Sequence, residues 1–224
     1  MTGAPSPERW AIDISLILNT VLGKDRFPVD VPLVAKEYSE HRYPDDPVSL
    51  VVGRSLRPGF DGALYRAPTG RKGWGIFYNN TIASKGRINF GEQDVVRWDS
   101  ECRQIEQQAN VFSAGLLMPL DDFRRQIPDG DKVDLDMISH CADRYRVSFI
   151  AAVLRWLQYT TRRAVLVISR DGYILWSRAS TPAWKTGAFF RTSGAPVEIP
   201  SRSLASRQDM IIDGRTGIEL PAGV

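Results

Sequence analysis

The sequence feature that most constrains the fold is an amphipathic helical segment, residues 105–123, which a proline divides in two. Pro119 lacks a backbone N–H and clashes with the preceding turn, so the first helix must end there. Asp121 is then a suitable N-cap for a second helix that begins with Asp122. Apolar residues recur on one face of the first helix at Ile105, Ala109, Phe112 and Leu116. The pattern predicts two successive helices, the first of them buried along one face.

The composition is typical of a soluble globular protein that builds a sizeable core, since 43% of its 224 residues are hydrophobic and 25% are charged. The net charge is +3, and the basic residues are less concentrated than in a dedicated nucleic-acid-binding protein. Two cysteines are too few for a disulfide scaffold and lack the spacing of metal ligands. No apolar run approaches the ~20 residues that span a bilayer. We therefore expect a cytoplasmic protein without a membrane segment.

The first eighty residues predict two helices and a small sheet. Ser6 and Asp30 are each followed by a proline within two residues, which marks a capped helix start. His41 follows the second helix and is expected to be an exposed loop residue. Three short runs rich in β-branched and aromatic residues predict strands, at residues 48–52, 63–65 and 74–78.

The second half predicts two more helices and a hairpin. Asp134 and Ser148 are N-cap candidates, each followed by an apolar stripe at helical spacing. Asp171-Gly172 separates two apolar runs, which is a strong signal for a β-hairpin. After Arg178 the composition shifts to Ser, Pro, Gly and Ala, typical of an irregular tail. The sequence thus predicts an α+β fold, with a helical domain over residues 1–160 and a hairpin extension with its tail over residues 161–224.

The residues that follow Glu106 resemble a known family. The pattern Glu-x-x-Ala-Asn-x-Phe-Ser-Ala-x-Leu-Leu-Met-Pro is similar to the segment after the active-site helix of the ImmA/IrrE zinc metallopeptidases. In that family a helix bearing H-E-x-x-H supplies two zinc-binding histidines and a glutamate base, and a later glutamate is the third ligand. Glu106 matches this third ligand. Residues 86–90, Gly-Arg-Ile-Asn-Phe, resemble the lead-in to the family's histidine helix.

The histidine motif itself is missing from the sequence. No H-E-x-x-H occurs, the only histidines are His41 and His140, and the one helix that could follow Phe90, residues 94–103, has no histidine. Two histidines one helical turn apart hold the zinc, and the glutamate between them acts on the metal-bound water. We therefore predict no catalytic residues, Glu106 as a vestigial third ligand, and no tightly held zinc. A replacement site built from Cys102 and Glu106 would offer too few ligands.

The resemblance implies a peptide-bond hydrolase fold whose small sheet offers an edge to which substrate adds as a strand. Some family members cleave transcriptional repressors, often those of phages or stress responses. Without the histidine motif we predict that this chain does not hydrolyse peptides, and that its partner is a protein or peptide, with a repressor among the candidates. A natural degenerate member, a deletion within the gene and an incorrect gene prediction would each give this sequence. No substrate groove is identifiable from the sequence.

The alternative function is that of a non-catalytic regulator that binds a protein or DNA through the helix pair predicted for residues 134–157. This pair is similar in layout to a helix-turn-helix. A similar helix pair follows the Leu-Leu-Met-Pro segment in the metallopeptidase family and packs on its core, which favours a structural role. His140, in the first helix of the pair, is expected to be structural or exposed. Five arginines form a basic flank: Arg144, Arg146, Arg155, Arg162 and Arg163.

Overall fold

The computed structural model describes residues 5–55, 62–68, 72–79, 100–192 and 194–206, without the side chains of residues 62, 100–103, 105, 106 and 204. The predicted α+β class is confirmed. None of the helices in these ranges has both the length and the apolar character needed to cross a membrane. The helices are α1 (Pro7–Leu22), α2 (Val31–Arg42), α3 (Ser100–Leu117), α4 (Leu120–Gln126), α5 (Leu135–Tyr145), α6 (Phe149–Leu157) and α7 (Thr181–Lys185). The strands are β1 (Val48–Arg54), β2 (Gly62–Arg66), β3 (Trp74–Asn79), β4 (Val165–Arg170), β5 (Tyr173–Ala179) and β6 (Val197–Glu198).

The first two helices begin where their caps predict. The Ser6 hydroxyl accepts a hydrogen bond from the backbone N–H of Arg9, and the Asp30 carboxylate accepts one from that of Leu33. Each bond satisfies one of the N–H groups that a helix start leaves without an intrahelical partner. α1 ends at Gly23, whose φ of 82° is a conformation that glycine adopts at little cost.

The three predicted strands of the N-terminal half form one mixed sheet in the order β1-β3-β2. β1 runs parallel to β3, and β2 runs antiparallel to it. α2 packs beside β1 and is tied to it, because the Ser39 hydroxyl accepts a hydrogen bond from the backbone N–H of Val48 at 2.7 Å. The helix therefore lies beside the β1 edge of the sheet, and β2 forms the opposite edge.

The predicted break at Pro119 is confirmed, but the predicted cap after it is wrong. α3 ends at Leu117, and α4 begins at Leu120 with Pro119 at its N-cap position and no side-chain capping bond. Asp121 lies inside the first turn of α4 instead, where its carboxylate pairs with Arg125 at 3.6 Å. Because the helix starts earlier than expected, Asp121 lies in its first turn rather than at its N-cap.

The described residues form two hydrophobic clusters. The larger one, which we call the helical core, lies where α4, α5 and α6 meet. Its buried members are Met118, Phe123, Ile127, Ile138, Cys141, Ala142, Tyr145, Ala151 and Ala152. The smaller one, which we call the N-terminal cluster, lies between α1 and α3 and buries Ala11, Ile14 and Leu116. The capping predictions for α5 and α6 are confirmed, since Asp134 and Ser148 accept bonds from the backbone N–H groups of Met137 and Ala151.

The predicted hairpin is confirmed and belongs to a second, antiparallel sheet in the order β4-β5-β6. Asp171 and Gly172 both have positive φ, 52° and 81°, as a two-residue turn of this type requires. The stretch predicted to be an irregular tail contains α7, capped by the buried Ser180, then β6 and a short 3₁₀ helix, Leu204–Ser206. The prediction missed them because each element has only a few residues and shows no periodicity. The rest of the tail, residues 207–224, lies outside the described residues.

Candidate functional site

Glu106, the predicted vestigial zinc ligand, lies in the first half of α3. Its side chain is outside the described part of the structure, as are those of Glu101 and Cys102. α3 is exposed at residues 107–110 and becomes progressively buried from Val111 to Leu116. Residues 86–90 and most of 94–103, which the resemblance places before this helix, also lie outside the described residues.

The two histidines lie on different helices and are both exposed. His41 lies in the last turn of α2, which continues to Arg42, so its predicted position in a loop is wrong although its predicted exposure is confirmed. His140 lies in α5, on the side away from the helical core. Neither histidine has a second one a helical turn away, as a zinc-binding helix requires.

The described residues do not assemble a metal site. No group of three or more His, Cys, Asp or Glu side chains among them could hold a metal ion. Cys141 is a free thiol that is fully buried in the helical core. Burial raises the pKa of this thiol to about 11, since the charged thiolate is disfavoured in an apolar environment. Cys141 is therefore a packing residue rather than a nucleophile or a ligand.

The most strongly organised polar group in the described structure is the Asp122 cluster: Asp122, Arg125, Arg144, Tyr145 and Asp25. The Asp122 side chain is only 3% exposed. Arg144 donates to both of its carboxylate oxygens, at 3.0 and 3.3 Å, and the Tyr145 hydroxyl donates at 2.7 Å. Arg125, one turn away on α4, also donates to it. Arg144 reaches on to Asp25, in the loop after α1, at 3.2 Å. The cluster thus joins three parts of the chain.

The electrostatics of this cluster favour a fixed carboxylate. Burial alone would raise the pKa of Asp122, but hydrogen bonds from Arg144, Tyr145 and Arg125 outweigh it and hold that pKa below its usual value. Burial and the adjacent carboxylate raise the pKa of Tyr145, so its hydroxyl remains a donor. The Asp122 carboxylate accepts four hydrogen bonds, from Arg125, Arg144 and Tyr145. It therefore holds the helices together and is not poised for acid–base chemistry.

The basic flank of the α5–α6 pair is largely committed to internal contacts. Arg144 belongs to the Asp122 cluster. Arg155 is buried and donates to the carbonyl oxygen of Met118 at 2.7 Å, and burial lowers its pKa to about 10. Arg162 donates to the carbonyl oxygens of Gly130 and Asp131. A recognition helix needs arginines that are available to phosphates and bases. These three positions therefore support the structural role of the pair over DNA binding.

The first sheet presents the best candidate for a peptide-binding surface. β2 is an edge strand, and its Leu64 and Tyr65 side chains are 60% and 58% exposed. The backbone N–H of Ala67 donates to the carbonyl oxygen of Gly73, just before the start of β3, so the backbone groups of the odd-numbered residues of β2 point toward β3. Since direction alternates along a strand, the N–H and C=O groups of Leu64 and Arg66 point away from the sheet. Such an outward row is what an added strand pairs with.

A second concave surface lies beside β5, where a shallow cavity of about 400 Å³ is bounded by Trp184, Phe189 and Phe190. The Ser177 hydroxyl at its wall donates to the carbonyl oxygen of Phe190, which holds this loop against the strand. Ser177, Arg178 and Thr181 also line the cavity, but its described lining includes no histidine, cysteine or carboxylate of the kind that a catalytic site uses.

Sequence reasoning did not identify the Asp122 cluster. Its members are spread over a loop and two helices, and Arg144 follows Asp122 by 22 residues. Each of them alone has the appearance of an ordinary surface charge. The adjacent pair Asp121-Asp122 was the only local signal, and it suggested a helix cap.

A comparison with models of protein families finds a match for part of the chain. Residues 99–157 match the family model of the IrrE N-terminal-like domain, Peptidase_M78. The match includes α3, α4, α5 and α6, and it confirms the resemblance that the sequence around Glu106 predicts. It begins after residues 86–90, where the histidine motif should follow. No curated protein matches the chain.

Proposed function

We propose that this chain is a member of the ImmA/IrrE family that has lost zinc-peptidase chemistry and binds a protein or peptide partner without cleaving it. The match of residues 99–157 supports the family. The observation that carries the loss of activity is the absence of any H-E-x-x-H sequence from all 224 residues. Without that motif neither the two histidine ligands nor the glutamate base has a counterpart.

Zinc, which the family implies, does not fit the residues that this chain offers. Only Glu106 corresponds to a family ligand, and His41 and His140 lie exposed on α2 and α5. Zinc in proteins is held by three or four side chains in a tetrahedral arrangement. The described residues contain no group of three potential ligands. We therefore derive no chemical step through a metal.

The partner that this proposal favours is an extended peptide segment, such as a flexible part of a transcriptional repressor in the cytoplasm. The outward backbone groups of Leu64 and Arg66 would pair with such a segment, and the exposed Leu64 and Tyr65 side chains would contact its apolar residues. Main-chain pairing supplies affinity with little sequence preference. Because the chain has no H-E-x-x-H motif, a repressor segment bound in this way would not be cut.

The first experiment measures the zinc content of protein that has been washed with chelator, reloaded with zinc and dialysed. We expect far less than one zinc per chain and no hydrolysis of a quenched fluorescent casein. About one zinc per chain, lost in Glu106→Ala, would show a rebuilt site and contradict the loss of activity. Glu106→Gln is the matched control, because it keeps the size of the side chain and removes only the anionic oxygen.

A second experiment tests the peptide-binding edge. Peptides are selected from a phage-displayed random library against the purified protein, and binding is then compared for Leu64→Pro and Leu64→Ala. Proline removes the outward N–H without breaking the β2–β3 ladder, whereas alanine removes only the side chain. We expect proline to weaken binding much more than alanine. Equal losses in both variants would indicate a side-chain pocket, and no loss would place the peptide elsewhere.

A further inference from the structure

Within the described part of the chain, the outer edge of β4, like that of β2, pairs with no other strand. β4 is an edge strand of the second sheet, and its sequence, Val-Leu-Val-Ile-Ser-Arg, is apolar apart from its end. Among the residues that the structure describes, β4 makes its strand hydrogen bonds only to β5. Edge strands are ordinarily protected from pairing by a proline, a bulge on the edge or an inward charge. β4 has no proline and no charge before Arg170.

The direction of each backbone group along β4 follows from the hydrogen bond at its start. The N–H of Ser180, just after β5, donates to the carbonyl oxygen of Ala164 at 2.8 Å, so Ala164 faces β5. Direction alternates along a strand, which turns the N–H and C=O groups of Val165, Val167 and Ser169 away from β5. The irregularity in the ladder lies on the β5 side, between Trp176 and Ile174, and leaves this alternation along β4 intact.

We propose that β4 pairs with β4 of a second copy of this chain, antiparallel and across a two-fold axis at Val167. In this register Val167 faces Val167 of the other copy, and Val165 faces Ser169. All three outward residues are then directly opposite one another, which allows about six backbone hydrogen bonds. A two-fold axis is the commonest symmetry of protein dimers and requires a self-complementary surface of this kind.

Charge complementarity favours this register over the one with its axis at Leu166. With the axis at Val167, Arg163 of one copy lies opposite Asp171 of the other, on both sides of the axis. Moving the axis by one residue to Leu166 would place Arg162 opposite Arg170, and like charges directly opposite each other destabilise a strand pair. Arg163, Arg170 and Asp171 are exposed, so their charges are available to a second chain.

The first test is the oligomeric state of the full chain by sedimentation equilibrium, from about 1 μM to about 1 mM, a range that covers weak and moderate dimers. We expect a concentration-dependent dimer for the natural sequence and a monomer for Val167→Pro. Proline at residue 167 removes an outward donor and no bond to β5, so far-UV circular dichroism should be unchanged. A protein that is monomeric throughout, or a dimer that persists in folded Val167→Pro, would overturn the proposal.

The second test determines the register of the proposed β4–β4 pairing and does not depend on the proline variant. In a Cys102→Ser background, Val167→Cys places two thiols opposite each other, with Cα atoms about 5.5 Å apart, a distance that a disulfide spans. Ser169→Cys is the matched control, because its two thiols would be about 13 Å apart along the paired strands. We expect cross-linked dimer on mild oxidation with Val167→Cys only. Cross-linking that is equal or stronger with Ser169→Cys would overturn the proposed register.

Discussion

The helical core and the N-terminal cluster are both built from amphipathic helices, but they bury very different amounts of apolar side chain. The helical core encloses nine buried residues and is tied together by the Asp122 cluster. The N-terminal cluster encloses three of the residues that the structure describes, while α1 leaves Ile12, Leu16 and Val21 more than half exposed. The helical core lies within residues 99–157, apart from partly buried neighbours such as Phe27. The stretch that matches the family model thus contains the larger of the two clusters found among the described residues.

This difference suggests a division of roles. A tightly packed core holds α3 and the helix pair in one arrangement, whereas a thinly packed region with exposed apolar residues has surface left for contacts with other molecules. No buried residue of the helical core belongs to an H-E-x-x-H sequence, since the chain has none. The proposed function therefore assigns the core a structural role and assigns binding to the exposed N-terminal half, including β2.

The largest effect is expected from removing the carboxylate that holds the core together. Asp122→Ala would leave the Tyr145 hydroxyl and the Arg144 guanidinium without their acceptor, and breaking a buried charged pair costs about 3–5 kcal/mol. Asp121→Ala is the matched control on the neighbouring residue, whose side chain is 60% exposed and pairs with Arg125 at the surface. It should cost less than about 1 kcal/mol.

Urea unfolding followed by circular dichroism gives both free energies of unfolding. If the two alanine variants lost similar amounts, the Asp122 cluster would be a surface feature in solution and the contrast between the two regions would weaken.

The next effect compares the same substitution in the two regions. Ile138 in α5 is 3% exposed, and Ile12 in α1 is 53% exposed. Ile138→Ala should cost about 3 kcal/mol, since it removes buried methyl groups and leaves a cavity. Ile12→Ala should cost about 0.5 kcal/mol or less, because little of its surface is withdrawn from water. Thermal denaturation of both variants measures the contrast, and a large loss at Ile12 would mean that a binding partner or a second copy covers α1.

A smaller effect is expected inside the N-terminal cluster, where α1 packs on α3. A Cβ atom added at Gly115 in α3 would lie 2.7 Å from the Cβ of Ala11 in α1, which is too close for two carbon atoms. Gly115→Ala should therefore push α1 away from α3 and cost about 1–2 kcal/mol, as overpacking does. Ala11→Gly in the same chain removes the clash and should recover most of the loss. Without that recovery, measured by urea unfolding, the close approach of the two helices would be in doubt.

The extent to which sequence predicts this molecule depends on how local each cause is. Ser6, Asp30, Asp134 and Ser148 cap helices because each bonds to a backbone N–H three residues later, and all four were predictable. The turn at Asp171-Gly172 is equally local. The Asp122 cluster was not predictable, because its stability depends on a tyrosine and an arginine that only the packing of α4 on α5 brings near.

The candidate site shows the same limit. The family resemblance was readable because its motif is contiguous from Glu106 to Pro119, and the missing histidines were countable. The edge positions of β2 and β4 in the described sheets depend instead on strand order, which short apolar runs do not specify. Neither position could therefore be assigned before the fold was known.

The smallest effect is the pH dependence that the Asp122 cluster contributes. The hydrogen bonds from Arg144, Tyr145 and Arg125 hold the pKa of Asp122 below its value in the unfolded chain, which is about 4. The folded state therefore binds this proton less readily than the unfolded state, and the stabilisation is fully present above about pH 5. It is lost progressively as the pH falls below about 4, through the native pKa. Asp122→Asn has no proton to bind, so the difference in free energy of unfolding between the natural sequence and this variant should shrink as the pH is lowered. A difference that stayed constant in urea titrations between about pH 5 and pH 2 would mean that the charge of Asp122 does not contribute to the stability of the core. The helical core would then resemble the N-terminal cluster in relying on apolar packing.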